Sequence, residues 1–214
     1  MMELVVVIGI VMILIGMLAP ALGRASSQAK LTRDISLIRQ HSATVSMYAA
    51  DFADTYPYPY NFTGHLYRVA GDWALPMIAS GHFENVAAVD PDTLNGRNFS
   101  YMMSIAMVYN PDEMRPGHVP RTGLQASRPT RQYQVLFPSL KGLLVRENNG
   151  LNPSEGVAMG FCCAGPWVSP VAFSDGSATS GTHMDFRGGL PLFLDQGIGI
   201  PIISTWFGVR GIDR

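Results

Sequence analysis

An uncharged apolar stretch near the start of the chain constrains what the rest can fold into. Glu3 is followed by twenty residues without a charge, Leu4 to Gly23, and then by Arg24. As a helix, twenty residues rise about 30 Å, which is about the thickness of the hydrocarbon layer of a bilayer. We therefore expect residues 4–23 to lie in a membrane, or in a protein environment that takes its place.

This stretch does not have the pattern of a cleaved signal peptide. Ala19-Pro20-Ala21 is similar to a cleavage site, but no basic residue precedes the apolar run. The run also exceeds the usual length of about 7–15 residues, and the helical pattern continues past it. We expect the stretch to remain part of the protein.

A helical pattern continues after the apolar stretch. Apolar and small residues recur there at alternating steps of four and three, which traces one narrow stripe along a helix. The stripe consists of Leu31, Ile35, Ile38, Ser42, Val45, Ala49 and Phe52. Pro57 disfavours the helical conformation of the residue before it. The sequence thus predicts one long helix over 1–55, with 4–23 as a membrane or assembly segment and 24–55 as an amphipathic continuation.

Glycine and proline bear on how the apolar stretch packs. Pro20 removes one backbone hydrogen bond and is expected to bend or locally melt the helix. Gly9, Gly16 and Gly23 recur every seven residues on one face. Small residues on one face allow a second helix to approach closely, although a membrane helix also tolerates such glycines without a partner.

Glu3 is the residue for which a functional role has a physical argument. A carboxylate at the edge of hydrocarbon is costly unless it is paired. The free N–H groups and the dipole of the first helical turn offer one partner. The α-amino group of a neighbouring chain in a staggered bundle offers another, and this pair would fix the register of the helices. We expect Glu3 to act in assembly, and both partners stay open.

Residues 56–214 are predicted to form one compact α+β body with long loops. About 160 residues suffice for a core of their own, and 22 glycines and 15 prolines in the chain favour loops. A short helix is expected from Asp72 to Ser80, interrupted at Pro76. Residues 99–109 are compatible with helix or strand, and 111–131 with a long loop.

An antiparallel sheet is predicted to follow. Asp175-Gly176 between two β-compatible runs is a strong hairpin signal, and Asn148-Asn149-Gly150 is another turn. The predicted strands are 132–137, 142–146, 157–161, 168–174, 177–180 and 200–207. Strands joined by turns after one long helix favour the α+β class.

The sequence contains no persuasive catalytic motif, neither G-x-S-x-G nor H-E-x-x-H nor a Walker loop. His183 and Asp185, close to Asp175, are compatible with a metal or an acid–base pair, and loop residues in a polar stretch explain them as well. Cys162 and Cys163 are adjacent, which strains a disulfide and does not match zinc-site spacing. With a net charge of −1 and no basic run, nucleic acid is not indicated. We predict neither an enzyme nor a cofactor.

The start of the chain combines an acid and a proline at a specific spacing. Glu3 leads into Leu4-Val5-Val6-Val7-Ile8-Gly9-Ile10, and Pro20 stands seventeen residues after the acid. This combination resembles the N-terminal segment of type IV pilins and type II secretion pseudopilins. The mature chain of that family opens F-T-L-I-E-L, with a proline at the same distance.

Later segments are similar to a group of planctomycete-type pseudopilins. Residues 39–54 followed by Pro57 resemble the Y-A-N-D-N-D…P segment of that group. Shorter similarities cover 138–141, 171–177 and 205–211. These matches are looser than the match at the start of the chain.

The resemblance implies a long curved helix packed on an antiparallel sheet. It implies an inner-membrane precursor of a bacterium, processed by a prepilin peptidase, with methylation. An inner-membrane assembly platform would polymerise it, with itself and with other pilin-like subunits, into a periplasmic pseudopilus or a surface fibre. Glu3 would be the assembly glutamate and Pro20 the helix-bending proline.

Some secretion pseudopilins bind calcium in a C-terminal loop. The acids considered for such a site are Asp175, Asp185, Asp195 and Asp213. They do not form a pattern that maps onto it. No metal ligand is therefore carried over from the resemblance.

Two features depart from the family pattern. Met1-Met2 places the glutamate two residues nearer the start than in the mature family, with no basic leader. Either the natural start lies upstream or this copy is not processed. Basic residues follow the span, so the positive-inside rule favours a cytoplasmic body, whereas the motif favours a periplasmic one. A single-pass anchored binding or sensor protein, and an anchored enzyme using His183, remain as alternatives.

Overall fold

The computed structural model describes residues 2–58, 71–91, 100–109, 111–115, 128–146, 168–187 and 207–213. The chain divides into two compact units, Met1–Asp34 and Ile35–Arg214. This division falls inside the first helix, whereas the predicted domains, 1–55 and 56–214, follow the end of the helical pattern.

Helix α1, Met2–Asp51, runs through the first unit and into the second. Its 50 residues correspond to about 75 Å of rise. The sequence predicts that Pro20 bends or locally melts the helix, and the helix is continuous there, so it does not melt. Proline withdraws only one donor, the one opposite the Gly16 carbonyl, and the bonds on either side keep the turn helical. The predicted bend stays a prediction.

The end of α1 comes four residues earlier than predicted, at Asp51 instead of residue 55. Ala53 and Asp54 have φ angles of 53° and 61°, in the left-handed region that ends many helices. The Asp54 N–H donates to the Ala49 carbonyl at 2.7 Å, which closes the last turn. The helix therefore ends before Pro57 restricts the residue ahead of it.

Four antiparallel strands form a sheet in the order β1-β2-β3-β4. They are β1 Tyr101–Met103, β2 Gly142–Arg146, β3 Ser169–Phe173 and β4 Ala178–Gly181. Each strand pairs with the next along the chain. The α+β layout, with one long helix and an antiparallel sheet, is confirmed.

Strands β3 and β4 form the hairpin that Asp175-Gly176 predicted. Gly176 has a φ angle of 83°, which glycine adopts without strain, and its N–H donates to the Phe173 carbonyl at 3.0 Å. Asp175 Oδ1 accepts from the Ser177 N–H at 2.9 Å and holds the turn. The hairpin is confirmed because its signal is local.

The strand predicted over 132–137 is wrong. Gln132–Gln134 forms a 3-10 turn instead, and Tyr133 and Phe137 are exposed while Val135 is buried. The sequence alternates polar and apolar residues, but a strand also needs a partner. Among the described residues, the pairing next to this segment is a single bridge between Thr55 and Arg131, before the turn.

Two short helices follow α1 along the chain, before the first strand. The helix predicted from Asp72 to Ser80 is α2, Ala74–Ala79, and Pro76 does not interrupt it. Proline is tolerated in a first turn, where its missing N–H has no acceptor within the helix. Helix α3, Val86–Val89, was not predicted, and the Asn85 side chain caps it.

The sequence of 99–109 is compatible with helix or strand, and the described part of this segment contains a strand and a 3-10 turn. Strand β1 is followed by the 3-10 turn Ile105–Met107. The predicted strand 157–161, nearly all of 200–207, the turn at Asn148-Asn149-Gly150, and Cys162-Cys163 lie outside the described residues.

Within the second unit, residues 35–51 of α1 pack on the sheet. The buried members of the predicted stripe are Ile38, Ser42, Val45 and Ala49. Ser42 Oγ donates to the Phe173 carbonyl at 3.4 Å, and the Arg39 guanidinium donates to the Ala178 carbonyl at 3.2 Å. Phe52, the last predicted member, is 44% exposed because the helix has already ended.

Candidate assembly segment

The first unit presents apolar side chains that the described part of the chain does not cover. None of the most apolar 18-residue window of α1 is buried. Exposed fractions reach 71% for Met17 and 61% for Ile13. By length and composition this helix is able to cross a membrane. An apolar surface of this extent on one helix needs a cover, which is lipid or other protein.

The predicted site residues Glu3 and Pro20 both lie in α1. Glu3 is the second residue of the helix, where backbone N–H groups have no partner within the helix. The structure describes its backbone and not its side chain, so the choice between helix dipole and neighbouring amino group stays a prediction. Pro20 lies within the helix and is exposed.

The glycine face of the segment is open. A Cβ atom added at Gly9, Gly16 or Gly23 would meet nothing within 4 Å. These positions are therefore not required to be glycine by contacts within the described chain. The face remains available for close approach by another helix, as the spacing of seven predicts.

Three cations follow the apolar span. Arg24, Lys30 and Arg33 are exposed, and Arg33 Nε lies 3.4 Å from Asp34 Oδ1. Between them the helix carries hydroxyls bonded to its own backbone: Ser27 Oγ donates to the Gly23 carbonyl at 3.1 Å. The polarity of α1 thus changes abruptly at residue 24.

In the second unit, His41 fixes α1 to the body. Its ring is buried and lies in edge contact with Tyr101, at 4.9 Å between centroids, and with Phe83, at 5.4 Å. Its Nε2 donates to the Val89 carbonyl at 2.7 Å. Burial lowers the pKa of His41, while the Val89 bond and the charge of Asp90 oppose this shift.

At the end of α1, His82 joins a hydrogen-bonded chain of side chains. Its Nε2 lies 3.1 Å from Asp51 Oδ2 and its Nδ1 lies 2.9 Å from Ser80 Oγ. The arrangement has the residue types of an acyl-transfer triad. However, the Ser80 and Gly81 N–H groups already donate to backbone carbonyls, and Ser80 Oγ also donates to the Met77 carbonyl. These two amides are not free to stabilise an oxyanion.

A buried ion pair closes the body. Lys141 Nζ lies 2.9 Å from Asp213 Oδ2, and the two side chains are 0% and 1% exposed. The same oxygen accepts from the Gly142 N–H at 2.9 Å. Burial lowers the pKa of Lys141 and the Asp213 carboxylate opposes the shift. The pair joins the tail of the chain to the start of β2.

The acids considered for calcium have other partners or lie outside the description. Asp213 pairs with Lys141, Asp175 holds the hairpin turn, and Asp185 accepts from the Thr182 N–H at 2.6 Å. Asp195 is not among the described residues, and neither is the side chain of His183. Within the described part of the chain, no group of three or more His, Cys, Asp or Glu is placed to hold a metal.

Sequence reasoning missed His41 and the Lys141–Asp213 pair. His41 lies three residues after Ile38 and so on the buried face of α1, a signal that the spacing contained. No local signal links Lys141 with Asp213, because 72 residues separate them.

Comparison with protein-family models, with curated proteins and with solved structures gives no match to this chain.

Proposed function

We propose that the protein is a structural subunit of a type II secretion pseudopilus or a type IV pilus-like fibre, polymerising through the first half of α1. The observation that carries the proposal is the exposure of the apolar window of α1, together with an antiparallel sheet on which residues 35–51 of the same helix pack. The sequence resemblance around Glu3 and Pro20 supports it. Burial of this apolar surface among sister helices would drive assembly.

Before assembly, the same segment would anchor the subunit as a single span in the inner membrane, with the body in the periplasm. Its partners would be further copies, other pilin-like subunits, the assembly platform and the prepilin peptidase. The alternative function, a permanently anchored binding or sensor protein, differs in one respect: its helix never exchanges lipid for protein.

Glu3 would select the register of the fibre. In surroundings of low dielectric constant, a carboxylate with a mismatched partner is left as an unpaired buried charge. Glu3→Gln keeps the shape and removes the charge. It should therefore reduce the transfer of the helix from lipid into the fibre. Membrane insertion of the 20-residue apolar span should stay unchanged.

The test is co-expression of the tagged variant with the wild-type chain in the native cell. Incorporation into the sheared fibre fraction and resistance to carbonate extraction are measured for each chain. Glu84→Gln is the matched control, because Glu84 is exposed on the body. We expect Glu3→Gln to lose at least tenfold in incorporation while both variants stay in the membrane.

Equal incorporation of Glu3→Gln and Glu84→Gln would contradict the assembly role. Wild-type chain that stays wholly in the membrane fraction, with no fibre under any condition, would instead support the anchored binding or sensor protein.

A further inference from the structure

We propose that Arg24, Lys30 and Arg33 form a cationic collar that binds the headgroups of anionic phospholipids while α1 is in a bilayer. The inference rests on the membrane-anchored stage of the proposed function. It does not depend on fibre assembly, nor on which side of the membrane the body lies.

The charge pattern is one-sided. From Leu4 to Arg33 the chain has these three cations and no acidic residue. All three are exposed. Within the part of the chain that the structure describes, no ion pair is formed by Arg24 or Lys30, while Arg33, with its side chain 54% exposed, contacts Asp34 at 3.4 Å. Arg24 and Lys30 thus carry the unpaired positive charge of the collar, while Asp34 offsets part of the charge of Arg33.

The collar begins in the headgroup layer and extends beyond it on the side of the body. Arg24 directly follows the apolar span, and Lys30 and Arg33 lie about 9 and 14 Å further along the helix axis. Headgroup regions add about 5–8 Å to each side of the hydrocarbon. Long flexible arms allow lysine and arginine to move their charges back toward that layer.

The angular spread of the collar favours lipid over a single protein partner. At 100° for each residue, the three Cα positions span about half of the helix circumference. A partner helix would contact one narrow face, whereas lipid headgroups surround a span on all sides.

The experiment uses the full-length chain in micelles of a neutral detergent. Phosphatidylglycerol or phosphatidylcholine is added, and the lipids retained on each protein molecule are counted by native mass spectrometry. We expect wild-type protein to retain phosphatidylglycerol preferentially, and 0.5 M salt before the measurement to reduce the preference. Arg24→Gln/Lys30→Gln should lower it by about fivefold for each charge removed.

The matched control is Arg128→Gln/Arg187→Gln, which removes the same charge from exposed positions of the body. It should retain the wild-type preference. Equal retention of the two lipids by the wild-type chain overturns the proposal, as does an equal loss in the control. A collar variant that keeps the lipid preference but fails in the fibre assay also overturns it, and assigns the cations to contacts between subunits.

Failure of the proposed function has a different signature. If the chain never forms fibres but prefers phosphatidylglycerol through Arg24 and Lys30, the collar proposal stands and the proposed fibre function is contradicted. Helix content by circular dichroism confirms that each variant is folded, and Arg24 and Lys30 are at exposed helix positions that tolerate glutamine.

Discussion

Helix α1 contains two stretches with the same backbone and opposite surroundings. Ile13, in the first unit, is 61% exposed, and Ile38, in the second, is 0% exposed. The more apolar stretch is the one that the described residues leave uncovered. Burial within the chain is therefore set by the pattern of apolar residues and not by their number.

The two patterns explain the difference. Residues 35–51 carry one narrow stripe, which a single sheet is able to cover. Residues 4–23 are apolar on every side, and a sheet that packs on one face would leave the other faces in water. A helix of that kind needs surroundings on all sides, which lipid or a bundle of helices provides.

The largest predicted effect is a loss of stability of the second unit, which contains the buried stretch of α1. Lys141→Met leaves the Asp213 carboxylate buried without its cation, and we expect a loss of about 3–5 kcal/mol in the free energy of unfolding. Denaturant unfolding of the full chain in detergent measures this loss. Hydrogen exchange should then show residues 38–51 losing protection while residues 7–22, inside the micelle, keep theirs.

The double variant Lys141→Met/Asp213→Leu is the control for this substitution. It removes both charges, so it should recover at least half of the loss. A double variant as unstable as the sum of the two single ones would show that the pair is not coupled.

A matched pair of substitutions tests the comparison directly. Ile38→Ala leaves a cavity in the core and should cost about 2–5 kcal/mol of unfolding free energy of the body. Ile13→Ala should change that free energy by less than about 0.5 kcal/mol, because Ile13 is exposed in the chain. Equal effects of the two substitutions would show that both stretches are packed alike.

Acidification should lower the unfolding free energy of the second unit, in which His41 of α1 is buried. Because burial lowers the pKa of His41 from its ordinary value of 6.5, the unfolded chain binds the proton first as the pH falls below that value. Stability should be level above about pH 7 and fall below pH 6.5, by up to about 1.4 kcal/mol for each pH unit. Unfolding curves between pH 5.5 and 7.5 measure the slope.

His41→Gln removes the titrating ring. The variant should be less stable overall, because the Val89 carbonyl loses a well-placed donor, but its stability should change less over this pH range. An unchanged slope would assign the pH dependence to another group.

The smallest effect concerns the exposed edge of the contact between α1 and the sheet. Arg39→Ala removes one hydrogen bond to the Ala178 carbonyl at 3.2 Å, and we expect a loss of about 0.5–1 kcal/mol. Arg24→Ala, at an exposed position of the first stretch, should leave the stability of the body unchanged. The difference between the two melting temperatures measures the contribution of the edge.

Features with a local cause were predictable from the sequence. The stripe over Ile38, Ser42, Val45 and Ala49 follows from helical spacing, and the β3–β4 hairpin follows from Asp175-Gly176, because both depend on residues a few positions apart. The extent of the apolar span followed from length alone.

Features with a distant cause were not predictable. The alternation over 132–137 predicts a strand, but whether a strand forms depends on a neighbour elsewhere in the chain. The Lys141–Asp213 pair joins residues 72 positions apart. The end of α1 depends on the left-handed conformations of Ala53 and Asp54, which are uncommon for residues other than glycine.

The continuity of α1 through Pro20 has a consequence for any change of surroundings. A helix satisfies its backbone polar groups internally, so moving it from lipid into a fibre, or into detergent, does not exchange main-chain hydrogen bonds. The carbonyl of Gly16, which faces the proline nitrogen, is the one that loses its donor. Away from the two ends of the helix, hydration of that carbonyl is then the backbone interaction that is gained in water and lost in lipid or in a dry fibre.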